Sequence, residues 1–202
     1  MELDPVGSPP SKDGEQQVKD VLYIPSLHSD LTVVLPWTDM KDAELVVDLF
    51  KAEEAPLSFW IDAARIYYNK GMNEQYMIML KELTSDDVGE HYGEAGKVQR
   101  VQAFCALAEA KLEERLRAKT QEERGAAILA AQTYLTGAST IDPSNEVTEQ
   151  WVAIGQVELA EGRYGAAKRA FDEAVSKAHG GLFNCGGRLG SAYCCFRQGK
   201  FT

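Results

Sequence analysis

The chain has 202 residues, of which 45% are apolar, enough to bury one sizeable domain or a short array of repeats. Its 21 Lys and Arg against 31 Asp and Glu leave a net charge of −10, which repels phosphate backbones and excludes direct nucleic-acid binding from our expectations. No apolar run reaches the roughly 18 residues of a membrane span, and the N-terminus has no secretory signal. We therefore expect protein partners, with no membrane and no small-molecule ligand.

The N-terminal residues predict little regular structure before the first helix. Residues 1–18 are rich in Pro, Gly, Ser and charge, and we expect them to be disordered. Residues 19–38 contain the β-favouring runs VLYIPSL and DLTVVLPW, which predict an extended arm or short strands. Asp39 is predicted to N-cap a helix that runs to about Ala55 and has Leu45, Leu49 and Phe50 on one face.

From residue 39 to residue 202 the pattern predicts an array of tetratricopeptide repeats. This repeat is a helix–turn–helix of about 34 residues with the pattern W-x2-L-G-x2-Y followed by A-x3-F. The stretch WVAIGQVELAEGRYGAAKRAFDEA, residues 151–174, fits it well. Its first helix supplies Trp151, Ile154 and Gly155, its turn supplies Gly162 and Tyr164, and its second helix supplies Ala167, Phe171 and Ala174.

Small residues in this pattern predict close approach between helices. We expect Gly155 of the first helix to face Ala167 of the second helix, because larger side chains there would push the helices apart. Phe171 is expected to fill the space between repeats, and Ala174 to let the next helix pack closely.

Weaker copies of the pattern extend the array on both sides. We predict repeats at about 57–90, 97–143 and 148–181, followed by a truncated half-repeat at 185–202. The middle copy has about eleven extra residues, mostly charged, that lengthen its helices or the turn between them. The fold class is therefore an all-α, irregular tetratricopeptide-repeat α-solenoid with a short extended N-terminal arm.

Motifs that suggest a small-ligand site are weak in this sequence. The run NCGGRLGSAYCCFRQGKFT resembles a phosphate loop, but Cys194 replaces a required Gly and Phe201 follows the Lys, so we predict a loop and a helix start. The acidic group Asp86, Asp87, Glu90 and His91 is better explained as a solvated loop than as a cation site.

Isolated residues with reactive side chains also lack suitable partners. We expect the cysteines to be buried small residues in a reducing compartment rather than zinc ligands, and the scattered histidines to be surface or core residues; they are Cys105, Cys185, Cys194, Cys195, His28, His91 and His179. No nucleophile lies beside a base. We therefore predict no catalytic, cofactor-binding or metal site and no enzymatic activity.

The concave groove of the array is the expected partner site, since repeats of this kind bind extended or helical segments there. Some such grooves hold a partner's C-terminal carboxylate with Lys, Asn and Arg. The corresponding places here are Ile61, Arg65, Glu149 and Ala153, of which only Arg65 could contribute. The carboxylate clamp is therefore predicted to be absent.

The order of segments resembles one known family. The runs VLYIPSL, LFKAEEAPLSFW, IYYNKG, TIDPSNEVTEQWVAIGQVELAEG and RLGSAYCCFRQGKF, within residues 20–202, are similar to the N-terminal part of the large repeat scaffold subunit of the polymerase-associated factor (Paf) complex. The resemblance implies a nuclear scaffold that holds other Paf subunits together on RNA polymerase II. It also implies support of transcription elongation, histone H2B ubiquitination and histone H3 methylation. Because the family's array has many more repeats, we expect this chain to be a fragment or the product of an incomplete gene model.

Two other interpretations stay open at this point. The chain is alternatively a generic repeat adaptor or co-chaperone, which the missing clamp residues weaken. It is also compatible with the repeat region of a larger enzyme whose catalytic domain lies beyond residue 202.

Overall fold

The computed structural model describes residues 21–25, 32–178 and 184–200. The chain divides into a first unit that ends at Ala55 and a second unit that begins at Pro56. The disorder predicted for residues 1–18 lies outside the described residues, as do residues 19–20 and 26–31 of the predicted arm.

The described part of the arm forms two short strands. Strand β1 (Val21–Pro25) pairs antiparallel with strand β2 (Thr32–Pro36). Leu22 and Ile24 are buried whereas Tyr23 between them is exposed, because successive side chains of a strand point to opposite faces. The alternation in the sequence thus produces a small sheet with one buried face.

Helix α1 (Ala43–Ala52) begins later than we predicted. The N-cap is Asp42, whose carboxylate accepts a hydrogen bond from the Glu44 amide at 3.0 Å, and the prediction of Asp39 is wrong. Asp39 ends a single 3₁₀ turn, and the chain then buries Met40 completely before the helix starts. The predicted face is also wrong for Leu45, which is exposed, since the buried stripe consists of Ala43, Val46, Val47 and Phe50.

The described part of the second unit is helical throughout. Its α-helices are α2 (Leu57–Asn69), α3 (Asn73–Leu83), α4 (Asp86–Tyr92), α5 (Lys97–Arg117), α6 (Gln121–Ile141), α7 (Thr148–Ala160), α8 (Tyr164–Lys177) and α9 (Cys185–Arg197). Helix α2 packs on α3, α5 on α6, and α7 on α8, while α5 also packs on both α2 and α7. The prediction of an all-α tetratricopeptide-repeat solenoid is confirmed. None of the described helices has the length and apolar content that crossing a bilayer requires.

The middle helix pair is longer than the pair that follows it. Helices α5 and α6 have 21 residues each, against 13 in α7 and 14 in α8. Thr120 caps α6 in a capping box: its hydroxyl accepts from the Glu123 amide at 3.1 Å, and the Glu123 carboxylate accepts from the Thr120 amide at 3.1 Å. This reciprocal pair satisfies two amides that a helix start leaves without partners.

Three glycines follow the first helix of a repeat and end it in the same way. Gly71, Gly162 and Gly199 have φ angles of 72°, 77° and 68°, which place them in the left-handed region that only Gly adopts without strain. After Gly162 the Arg163 amide donates to the Glu158 carbonyl at 2.9 Å, as in a Schellman turn. The spacing of turn glycines in the sequence therefore reflects a repeated helix ending.

The Phe171 ring explains two further glycines. A Cβ atom at Gly155 would lie 2.6 Å from this ring, and one at Gly190 of α9 would lie 2.5 Å from it. Gly155 therefore faces the Phe171 ring, while Ala167, the expected neighbour of Gly155, is fully buried in the same cluster as Phe171. Helices α7 and α9 both need a residue without a side chain where they meet the same ring.

A buried carboxylate fixes the turn between α6 and α7. Asp142 accepts hydrogen bonds from the Ser144 hydroxyl at 3.0 Å and from the amides of Glu146 and Val147 at 2.6 and 3.0 Å, and Lys97 Nζ lies 3.5 Å away. Burial alone would raise the pKa of Asp142, but the hydrogen bonds and Lys97 outweigh it and lower that pKa. The ionised carboxylate therefore stabilises the start of α7.

Candidate protein-binding groove

Two clefts of the second unit meet on the surface of α5. The first cleft, of about 290 Å³, lies between α3 and α5 with Tyr68 of α2 at its side. The second cleft, of about 380 Å³, lies between α5 and α7 and includes Tyr193 of α9. Glu109 and Glu113 line both clefts. We call the combined surface the Glu109 groove; its other lining residues used below are Tyr68, Tyr76, Ala106, Ala110, Arg115, Arg117, Gln156 and Leu159.

The amphipathic pattern of α5 places these residues. Residues three or four positions apart share a helix face, so Glu109, Glu113 and Arg117 lie in one row, and Ala106 and Ala110 beside them leave space for the first cleft. The adjacent side of the helix contributes Val101, Cys105 and Ala108 to the core between α5, α6 and α7.

Most carboxylates of the groove already have a cation. Glu113 lies 3.7 Å from Arg117 Nη2, and Glu114 lies 2.7 Å from Lys111 Nζ. Among the described residues, no Lys, Arg or His lies within ion-pair distance of Glu109. The side-chain amide of Gln156 on α7 favours its charged form. Glu109 is therefore the carboxylate of the groove that lacks charge compensation.

The surroundings of Glu109 disfavour its charged form. Its partial enclosure raises the pKa of its carboxyl first, the amide of Gln156 lowers it in part, and the nearby charge of Glu113 raises it again. The net direction is upward, although the Glu109 side chain is exposed to solvent. A cation placed in the groove would therefore be attracted to Glu109 and would favour the ionised form of its carboxyl.

Aromatic rings form the wall of the first cleft. The centroids of the Tyr68 and Tyr76 rings are 5.3 Å apart, at an angle of 56° between the ring planes. Burial, followed by the charge of Glu109, raises the pKa of Tyr76 to about 12. Tyr76 therefore stays a neutral phenol and lines the first cleft together with Glu109.

Arg115 joins α5 to the end of α7 at the second cleft. Its Nη2 donates to the Ala160 carbonyl at 2.8 Å, one of the carbonyls that the end of a helix leaves without a backbone partner. Its Nε atom is buried with no hydrogen-bond partner. Because Arg115 is committed to the α7 terminus, it holds the wall of the cleft in place and does not neutralise Glu109.

The positions of the predicted carboxylate clamp lie outside the Glu109 groove. Arg65 is exposed and pairs with Asp62 at 3.3 Å, Ala153 is buried, and Glu149 accepts a hydrogen bond from Gln102 at 2.9 Å. These three positions gather no cluster of cations.

The acidic group after α3 forms a helix, so the prediction of a loop is wrong. Asp86, Asp87, Glu90 and His91 belong to α4, which Ser85 caps by accepting from the Val88 amide at 3.3 Å. The His91 ring packs against Tyr92, with centroids 4.7 Å apart. His28 and His179 lie outside the described residues. In the described ranges no three His, Cys, Asp or Glu side chains gather as metal ligands would.

The cysteines differ in their surroundings. Cys105 and Cys194 are buried, as predicted, and burial raises the pKa of the Cys105 thiol far above its usual range. Cys185 is exposed and Cys195 is half-buried, so the prediction of a buried role is wrong for Cys185. Cys185 begins α9, where Asn184 caps the helix by accepting from the Gly187 amide at 2.7 Å. The Gly-rich run thus forms a capped helix start.

The sequence analysis missed the residues that define the groove. Tyr76 was noticeable only as an aromatic residue where the repeat pattern has Ala, and Glu109 as an acid within the small, apolar run FCALAEA. An acidic residue inside such a run is a signal that we could have used. The role of Glu109 in the groove, however, depends on Tyr76 and Gln156, which come from two other helices.

Comparison with known proteins places the chain among longer relatives. No protein-family model matches it. It is 32% identical over 187 residues to Protein CTR9 homolog of Arabidopsis thaliana, a match that covers 90% of this chain and 16% of that protein. It is 24% identical over 151 residues to RNA polymerase-associated protein CTR9 of Caenorhabditis elegans, covering 73% of this chain and 13% of that protein. The chain therefore spans less than a fifth of the length of these relatives.

Proposed function

Since this chain belongs to the CTR9 family, we propose that it acts as a protein–protein interaction scaffold within the Paf complex on RNA polymerase II. The observation that carries this proposal is the 32% identity to a CTR9 homologue across 90% of the chain. The name of the nematode relative describes an RNA polymerase-associated protein. The proposed place of action is the nucleus.

The finer roles in this proposal rest on the same resemblance. We propose that the chain supports transcription elongation and the co-transcriptional modification of histones, namely H2B ubiquitination and H3 methylation. It would do so by holding other subunits of the complex and not by catalysis. A groove between helices supports this kind of role, because helical repeats commonly bind partner segments along such surfaces.

Affinity purification of the tagged 202-residue chain from nuclear extract tests the proposal. We expect subunits of the Paf complex and of RNA polymerase II to be enriched over a tag-only control. Enrichment of chaperones without these subunits would instead support a co-chaperone role. Recovery of neither Paf nor polymerase subunits would contradict the proposed function of this segment.

A pair of surface variants tests whether the groove is the site of contact. Tyr193→Lys adds a positive charge beside the second cleft at a side chain that is 46% exposed, so the fold should tolerate it. Leu129→Lys makes the same addition on α6, at a side chain that lines neither cleft of the groove and is 65% exposed. We expect Tyr193→Lys to reduce recovery of at least one subunit and Leu129→Lys to leave it unchanged. Equal recovery with both variants would place the contact outside the groove.

A further inference from the structure

We infer that the Glu109 groove binds a partner segment through a Lys or Arg side chain of that segment, flanked by apolar residues, with its cation against the Glu109 carboxylate. This inference rests on the proposed scaffold function and specifies the chemistry of the partner. It follows from the position of Glu109, from the pairing of its neighbours and from the rings beside it.

Glu109 lies where the two clefts of the groove meet. Glu109 lines both clefts, so a segment that enters either one approaches the same carboxylate. The cleft volumes of about 290 and 380 Å³ lie just below and just above the lower limit for ligand sites, whose range is roughly 300–1,000 Å³. Spaces of this size suit individual side chains of a bound segment.

The charges around Glu109 favour a positively charged partner side chain. The neighbouring cations of the groove are already engaged, since Arg117 pairs with Glu113, Lys111 pairs with Glu114, and Arg115 donates to the Ala160 carbonyl. None of them is available to Glu109 without breaking its present contact. An incoming Lys or Arg would supply the missing charge, while an incoming Asp or Glu would meet the repulsion of Glu109 and Glu113.

Aromatic and apolar side chains form the walls of both clefts. Tyr68 and Tyr76 flank the first cleft, and Leu159 and Tyr193 line the second. Lys and Arg side chains bury their aliphatic stems along apolar surface and place the cation near ring faces. Apolar residues next to the cation would occupy the remaining cleft surface. The groove thus favours a mixed cationic and apolar segment over a purely basic one.

A peptide-display selection tests the inference on the complete 202-residue chain. A library of random peptides is selected in parallel on the wild-type protein, on Glu109→Gln and on Glu90→Gln. Glu90 is the matched control, because it is an exposed helical Glu that lines neither cleft. We expect wild type and Glu90→Gln to enrich peptides with one Lys or Arg flanked by apolar residues, and Glu109→Gln to lose the preference for the cation.

Fluorescence anisotropy with the most enriched peptide gives the size of the effect. Glu109→Gln should weaken its affinity about tenfold, which is a modest value for one charge pair at a partly accessible site, and Glu90→Gln should leave the affinity unchanged. Raising the salt concentration from about 0.1 M to about 1 M should weaken binding to wild type more than binding to Glu109→Gln, because salt screens the charge pair. Thermal melts of both variants at or above the wild-type midpoint show that the fold is intact.

Several results would overturn the inference. They are a library without binders, enrichment of acidic or uncharged peptides on wild type, and an affinity that Glu109→Gln leaves unchanged. The purification of Paf and polymerase subunits is a separate measurement. A failed selection alongside recovered subunits would reject the cationic segment while leaving the scaffold function standing.

Discussion

Because Gly155 contacts the Phe171 ring, we expect Gly155→Ala to destabilise the protein, whereas the same replacement at an open helical position stabilises it. In an open helical position, replacing Gly by Ala stabilises a protein by up to about 1 kcal/mol. At Gly155 the new Cβ would lie 2.6 Å from the ring, whereas carbon atoms pack at about 3.5–4.0 Å. The ring would have to retreat by about 1 Å.

The ring has no free space to retreat into. The same three ring atoms that lie closest to Gly155 also lie closest to Gly190 on α9, and Phe171 is only 2% exposed. Overpacking of a core costs about 1–3 kcal/mol, which exceeds the gain in helix propensity. We expect a net loss of about 2 kcal/mol, from the upper part of that range less the helix gain.

Thermal unfolding followed by circular dichroism measures this difference. For a chain of this length, 1 kcal/mol corresponds to roughly 2–4 °C, so Gly155→Ala should lower the midpoint by about 4–8 °C. The control is Gly125→Ala on α6, where no atom lies within 4 Å of the added Cβ; it should raise the midpoint by about 2–4 °C.

A Phe171→Leu background tests whether the ring is the cause of the destabilisation. In a Phe171→Leu background the ring atoms that oppose residue 155 are gone, so Gly155→Ala should become neutral or stabilising. If Gly155→Ala stabilises the wild-type background as Gly125→Ala does, then the ring does not press on α7 and the packing described above is wrong.

Three further predictions follow from single sites. Asp142→Asn should lower the free energy of unfolding at neutral pH by about 1–3 kcal/mol, because buried amides lose a charged acceptor. Since folding lowers the pKa of Asp142, the difference in stability between wild type and variant should shrink as the pH falls below about 4. A difference that stays constant down to about pH 2 would refute this pH dependence. Thr120→Ala removes the cap of α6 and should cost about 0.5–2 kcal/mol in denaturant melts, whereas Thr133→Ala, whose hydroxyl bonds only the carbonyl one turn back, should cost nothing. With its net charge of −10, the chain should bind duplex DNA or RNA no better than a neutral control protein in a shift assay, and a salt-sensitive micromolar complex would contradict this.

The parts of the fold that depend on local sequence were predictable. Gly71 and Gly162 end helices because a left-handed residue is needed there, and this need depends only on neighbouring residues. The burial of Trp60, Ala63 and Tyr67 follows from the helical period in the same way. Local patterns of this kind were sufficient for the solenoid class.

The wrong predictions concern choices that local pattern leaves open. Asp39 and Asp42 are both suitable N-caps in sequence, and the burial of Met40 between them decides for Asp42. The contact of Gly155 with the Phe171 ring, which we did not predict, depends on how α9 packs against α8, and no residue of the 151–174 stretch specifies that packing. Glu109 became a candidate only when α3, α5 and α7 were brought together.

The packing that defines the fold also shapes the candidate site. Gln156 follows Gly155 directly on α7, and Tyr193 lies less than one turn after Gly190 on α9, so the contacts of both glycines with Phe171 set where these two groove residues stand. Gln156 in turn lines the second cleft together with Glu109. A larger residue at position 155 would therefore displace a groove wall as well as destabilise the core. The two glycines of α7 and α9 thus position the wall of the second cleft that faces Glu109.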